Sequence, residues 1–72
     1  MKKKSRLSDI VREKRKEIGL TQEDLALRSG VGIRFIRDLE QGKATLRLDK
    51  VNDVLGYFGL EVGVTKLRKE DE

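Results

Sequence analysis

The stretch from Thr21 to Gly42, TQEDLALRSGVGIRFIRDLEQG, constrains this chain more than any other. Gly30 and Gly42 cut it into two helical segments. Thr21, followed three residues later by Asp24, predicts an N-cap with a short-armed capping box. Leu20 before the cap can pack on Leu25 as a hydrophobic staple. Leu25 and Ala26 then face inward. Gly30 stops the helix, because the residue past a helix C-terminus adopts a left-handed conformation that glycine tolerates. Val31 plugs the turn. A second helix spans about 33–41, with Gly32 as its N-cap and Phe35, Ile36 and Leu39 as its inner face. Ile33, Arg34, Arg37, Asp38 and Gln41 are left facing outward. Such a pair, the second helix apolar inside and basic outside, can lay a helix in the major groove of DNA.

The flanking sequence predicts two more helices. Leu7, Ile10, Val11 and Ile18 share a stripe, giving a first helix from about Ser8, its N-cap, to Ile18, ended by Gly19. Thr45 reads as the cap of a last helix reaching about Phe58. There Leu48, Val51, Leu55 and Phe58 repeat at three and four, with Val54 alongside, and Gly59 closes the helix. The period then changes. Leu60, Val62 and Val64 alternate with Glu61, Gly63 and Thr65, as in a strand. A single strand in a helical chain has no internal partner for its amides and carbonyls. The same strand of a second copy, antiparallel across a two-fold axis, supplies one. The expected fold is therefore all-α with one short strand. A basic tail covers 1–6, four helices 7–59, a dimerisation strand with Leu60, Val62 and Val64 spans 60–66, and a charged tail covers 67–72.

Composition narrows the chemistry. Seventy-two residues, 36% of them hydrophobic, make a marginal core, since so short a chain buries only about 60% of its unfolded surface. No cysteine is present to add a disulfide, so dimerisation is the expected supplement. The lack of Cys and His also removes the usual zinc ligands and the commonest general base. No carboxylate pairs with a nucleophile, so no metal, cofactor or enzymatic activity is expected. The apolar runs are too short for a membrane span, and MKKKSRL lacks a signal peptide's apolar run, which points to the cytoplasm. The net charge of +4 is uneven. Residues 1–20 carry eight basic and three acidic side chains, residues 21–47 five and four, residues 48–72 four and six. A cationic end attracts polyanions, although Lys2, Lys3 and Lys4 alone also read as a solubilising tail.

The candidate contacts follow from the outer face of the second helix. The Arg34 guanidinium matches the O6 and N7 acceptors of guanine, a contact worth about 1–3 kcal/mol of discrimination. Ile33 offers apolar contact to a thymine methyl. Arg37 can reach a base or a phosphate, with phosphate favoured. Asp38 can accept from a cytosine amine or orient a neighbouring arginine, the second being favoured. Gln22 stands at a helix start, where peptide and side-chain amides can both donate to phosphate. Lys43 and Arg47 follow the second helix and can grip the next phosphates. Arg15 and Glu40 lie beside the apolar stripes of their helices. They are expected to form a partly buried pair joining the first helix to the end of the third. Two unrelated surface charges are the alternative.

The span TQEDLALRSGVGIRFIRDLEQGK resembles the helix-turn-helix of the lambda-repressor-like, Cro/C1-type (XRE) regulators. Gln22, Ala26, Gly30, Val31, Ile36 and Leu39 stand where that family has Gln, Ala, Gly and three apolar positions. The likeness covers about residues 7–60. It implies a phosphate contact for Gln22 and interface positions at Gly32, Ile33, Arg34 and Arg37. It also implies that Arg15 and Glu40 form the family's arginine–glutamate bridge. A narrower stretch, RFIRDLEQGKATLRLDKVNDVLGYFGLEVGV, resembles the HipB-like antitoxins. That likeness implies a C-terminal sheet shared by two subunits, a homodimer that represses its own operon, and a HipA-type kinase toxin as partner; two copies of the third helix related by the two-fold are expected to read a palindromic operator. Two other readings stand beside it. One is a free-standing or phage-type repressor. The other is mainly a protein-binding module, supported by the outward Leu27 and by Tyr57.

Overall fold

A computed structural model describes residues 6–63. Four helices follow one another: α1 (Arg6–Glu17), α2 (Gln22–Ser29), α3 (Ile33–Glu40) and α4 (Leu48–Tyr57). Helix α2 starts as its sequence predicts. Thr21 is the extended N-cap, and its Oγ1 accepts the Asp24 N–H at 3.0 Å. In return the Asp24 carboxylate accepts the Thr21 N–H at 3.1 Å. Two donors at the cap and first turn are thereby satisfied. At the other end Gly30 is left-handed, with φ 78°. Its N–H and that of Val31 both donate to the Ala26 carbonyl, at 3.0 and 3.1 Å. Nothing lies within 4 Å of where a Gly30 Cβ would stand. The glycine is therefore required by the backbone of the turn and not by a close neighbour. Gly19, Gly42 and Gly59 also have positive φ, where α1, α3 and α4 end.

The core comprises Val11, Leu25, Ala26, Ile36, Leu39, Val51, Val54 and Leu55, with Leu20, Val31 and Phe35 half-buried against it. Helix α2 packs on α3 and α4, and α1 packs on α3. Ile36 and Leu39 turn fully inward, while Arg34 and Arg37 are exposed on the opposite side of α3.

Several helix boundaries and faces differ from expectation. Ser8 is not the N-cap of α1: the helix begins at Arg6, and Ser8 lies inside it, fully buried. The reason is Leu7, which packs half-buried against the core from within the first turn of the helix. Ile18 falls beyond α1 and is largely exposed. Thr45 does not cap α4; Arg47 does, with no side-chain cap bond. Leu46 packs against the core, so the chain must pass it before the helix can start. Leu48 is 58% exposed and does not join the inner face of α4. Ile33, expected on the outer face of α3, is half-buried against the core.

No strand is present among the described residues. Past α4 the Leu60 N–H returns to the Leu55 carbonyl at 2.9 Å, and the Val62 N–H donates to Asn52 Oδ1 at 2.8 Å. Leu60 and Val62 remain 39% and 41% exposed. A lone chain offers no second strand for them to join. Val64 and both charged tails, 1–5 and 67–72, lie outside the described residues.

Candidate nucleic-acid interface

The outer face of α3 is built by its inner one. Burying Ile36 and Leu39, three residues apart, fixes the rotation of the helix and turns positions 34 and 37 to solvent. Among the described residues Arg34 has no ion-pair or hydrogen-bond partner, so its fork is available to an external acceptor. Arg37 lies 3.9 Å from the Glu23 carboxylate at the start of α2. Gly32 caps α3 without a side-chain bond, which keeps the front of the helix low.

The remaining cations near this face are held by carboxylates. Lys43 Nζ lies 3.6 Å from Asp38, and the Lys43 N–H donates to the Asp38 carbonyl at 3.0 Å. Asp38 thus pairs with Lys43 and not with the neighbouring arginine that the sequence leads one to expect. Arg47 folds onto Asp49 with two hydrogen bonds, at 2.7 and 3.2 Å. These bonds hold the Asp49 carboxyl below the ordinary carboxylate range. All three pairs are largely exposed, apart from the better covered Asp38. Exposed pairs of this kind contribute about 0–1 kcal/mol each, so a phosphate can displace them at little cost.

Behind this surface lies a polar hub centred on Glu40, which is buried. Arg15 meets its carboxylate with both arms of the fork, Nε to Oε2 at 2.6 Å and Nη2 to Oε1 at 2.9 Å. The third arm, Nη1, donates to the Leu20 carbonyl at 2.9 Å. The expected pair is therefore present, and it joins α1 to the end of α3. Two further residues belong to it. Gln22 Nε2 donates to Glu40 Oε1 at 3.1 Å, and Arg12 Nη2 donates to the Glu40 carbonyl at 2.8 Å. Burial pushes the Glu40 carboxyl up. The hydrogen bonds from Arg15 and Gln22, with the charges of Arg15 and Arg12, outweigh it and hold the group below the ordinary range. No buried side-chain polar atom among the described residues lacks a partner.

Sequence reasoning passed over Arg12. Its signal was present, since it lies three residues before Arg15 and so on the same face of α1. The link between Gln22 and Glu40 had no such signal, because it closes across 18 residues and two helices. Gln22 remains at the start of α2, half-buried. It has one amide hydrogen committed to Glu40, and a side-chain amide carries two.

Among the described residues no group of His, Cys, Asp or Glu is arranged to hold a metal ion. No helix there is long and apolar enough to cross a membrane. The sequence pattern of the helix-turn-helix family matches residues 11–64. The chain is 47% identical over 55 residues to the uncharacterized HTH-type transcriptional regulator y4mF of Sinorhizobium fredii, covering 76% of this chain and 72% of the relative. It is 56% identical over 52 residues to an uncharacterized HTH-type transcriptional regulator of Methanothermobacter thermautotrophicus, covering 72% and 75%. With its turn at Gly30, its capped α2 and its outward arginines, this chain belongs to the helix-turn-helix family of the Cro/C1 (XRE) type.

Proposed function

We propose that this protein is a DNA-binding transcriptional repressor that reads a palindromic operator as a homodimer. The observation that carries the reading is the split of α3, with Ile36 and Leu39 buried and Arg34 and Arg37 exposed. Arg34 reads a base, most naturally guanine, through its two parallel N–H groups. Ile33, half-buried, offers only its outer edge to a thymine methyl. Gly32 lets the backbone approach. Arg37, Lys43 and Arg47 exchange Glu23, Asp38 and Asp49 for phosphates, and Gln22 adds a phosphate contact at the start of α2. Two copies of α3 stand about 34–36 Å apart, one helical turn of DNA.

The dimer forms through the segment after α4. Val62 borders two shallow apolar grooves, of about 370 and 400 Å³, and Leu60 borders the second. Leu7 and Val62 belong to both. Pairing with the same segment of a second copy covers these side chains and uses the strand alternation of Leu60, Val62 and Val64. Within this reading the protein is the antitoxin of a HipA-type kinase toxin, repressing the operon that encodes both. Support for that finer role is the resemblance of residues 34–64 to HipB-like antitoxins.

Fluorescence anisotropy on duplexes from upstream of the gene tests the DNA reading. Arg34→Ala loses discrimination at one base position, by about 1–3 kcal/mol. Lys43→Ala weakens all sequences alike and lowers the slope of log K against log salt by about one. Equal losses on operator and random DNA for Arg34→Ala contradict its assignment. Co-purification of a kinase encoded beside the gene tests the antitoxin role. One observation favours a second reading, a mainly protein-binding module. Leu27 is 83% exposed on α2, near the level of a free side chain. Absence of any specific DNA shift at moderate salt would select that reading.

A further inference from the structure

We propose that Glu40 is a positioning residue for the phosphate contact of Gln22, beyond its bond to Arg15. The proposal rests on the DNA-binding reading above. Holding α1 to α3 requires only the fork of Arg15 on the carboxylate, at 2.6 and 2.9 Å. The bond from Gln22 Nε2 to Oε1 at 3.1 Å does something else. It ties the first residue of α2 to the last residue of α3, across the turn that sets the angle between them. Oε1 thus serves two donors, Arg15 Nη2 and Gln22 Nε2.

The consequence is pre-organisation. An unrestrained glutamine has several rotatable bonds and must lose that freedom when it grips a phosphate. Here one amide hydrogen is already anchored to a buried carboxylate, and the second is left for an external acceptor. A carboxylate makes the anchoring bond charge-assisted and so stronger than an amide-to-amide bond. Glu40 therefore affects DNA affinity without touching DNA.

A merely structural role for Glu40 makes a different prediction, and the variant Arg15→Met/Glu40→Met separates the two. Replacing a buried pair by apolar residues of similar volume is often neutral or stabilising. The variant is expected to fold at near-native stability while binding the upstream duplex about 3- to 10-fold more weakly, the range for ordering one rotamer-rich side chain. In that background Gln22→Ala costs clearly less affinity than in the native chain. Native affinity, with the full Gln22→Ala loss retained, would overturn the proposal.

A second measurement needs no variant. In nitrogen-15 NMR of the native chain, the Gln22 side-chain amide should exchange more slowly than that of the exposed Gln41. One of its protons should shift on titration with duplex. A chain that binds the duplex while its Gln22 amide exchanges as fast as Gln41 overturns this proposal alone. A chain with a protected Gln22 amide that binds no duplex overturns the DNA-binding reading and takes the proposal with it.

Discussion

Arg15 and Glu40 show what a residue pair costs and contributes in a domain of this size. Stability for such a chain is on the order of 4–10 kcal/mol. Arg15→Ala leaves the Glu40 carboxylate buried without its cation and is expected to cost about 3–5 kcal/mol, measured as a loss in the urea midpoint at constant slope. The pair also sets an acid dependence. The folded Glu40 is held below the ordinary carboxylate value, so its contribution is complete above that value. It is lost as the pH falls through the lower, folded one. Native urea midpoints should therefore drop on acidification below the ordinary carboxylate range, and Glu40→Gln should flatten that part of the curve. The pair was legible in sequence because each partner borders an apolar stripe. The other ligands of Glu40 were less so. Arg12 needed only helical spacing, but the Gln22 bond depends on the angle between α2 and α3, which no local pattern encodes.

At the scale of the element, caps decide how much of a boundary can be read. Thr21 and Thr45 look alike in sequence, each a threonine before an apolar-periodic run. Only Thr21 has an acidic residue three positions on, and only Thr21 closes a capping box. Thr21→Ala should destabilise the domain by about 1 kcal/mol, whereas Thr45→Ala should shift the thermal midpoint hardly at all. Comparable shifts for both would place the start of α4 earlier than Leu48. The same reasoning explains Ser8. A hydroxyl residue marks a helix start only if no apolar residue before it must be helical, and Leu7 must be. The turn at Gly30 and the split of α3 were fully legible, since left-handed glycine and i, i+3 burial are local rules. Ile33 was misplaced because its spacing from Ile36 was overlooked: three residues apart, the two share one side of the helix, and Ile33 sits half-buried there.

For the whole molecule, the exposed apolar surface around Val62 is the feature that the proposed dimer would use. Leu7 and Val62 border both grooves, Leu48 one and Leu60 the other, and among the described residues eight hydrophobic side chains are buried in the core. The dimerisation proposed through this face would make stability depend on protein concentration. The native thermal midpoint should rise as the chain is concentrated. Val62→Asp should abolish that dependence and weaken operator binding more than half-site binding. A midpoint independent of concentration in the native chain would sink the dimer. Strand alternation was visible in the sequence, but the grooves were not, since they are assembled from α1, α4 and the segment beyond.

The bond from Val62 to Asn52 carries a consequence for how two such segments can meet. Along an extended backbone, successive amides face opposite edges. With the Val62 amide turned toward its own α4, a strand formed here would leave the amides of Glu61 and Gly63 on the other edge. Any ladder between copies must therefore run through odd-numbered residues. In the proposed pair a slip by a single position would strand Asn52 or break the ladder, so one side chain on α4 would select among the alignments.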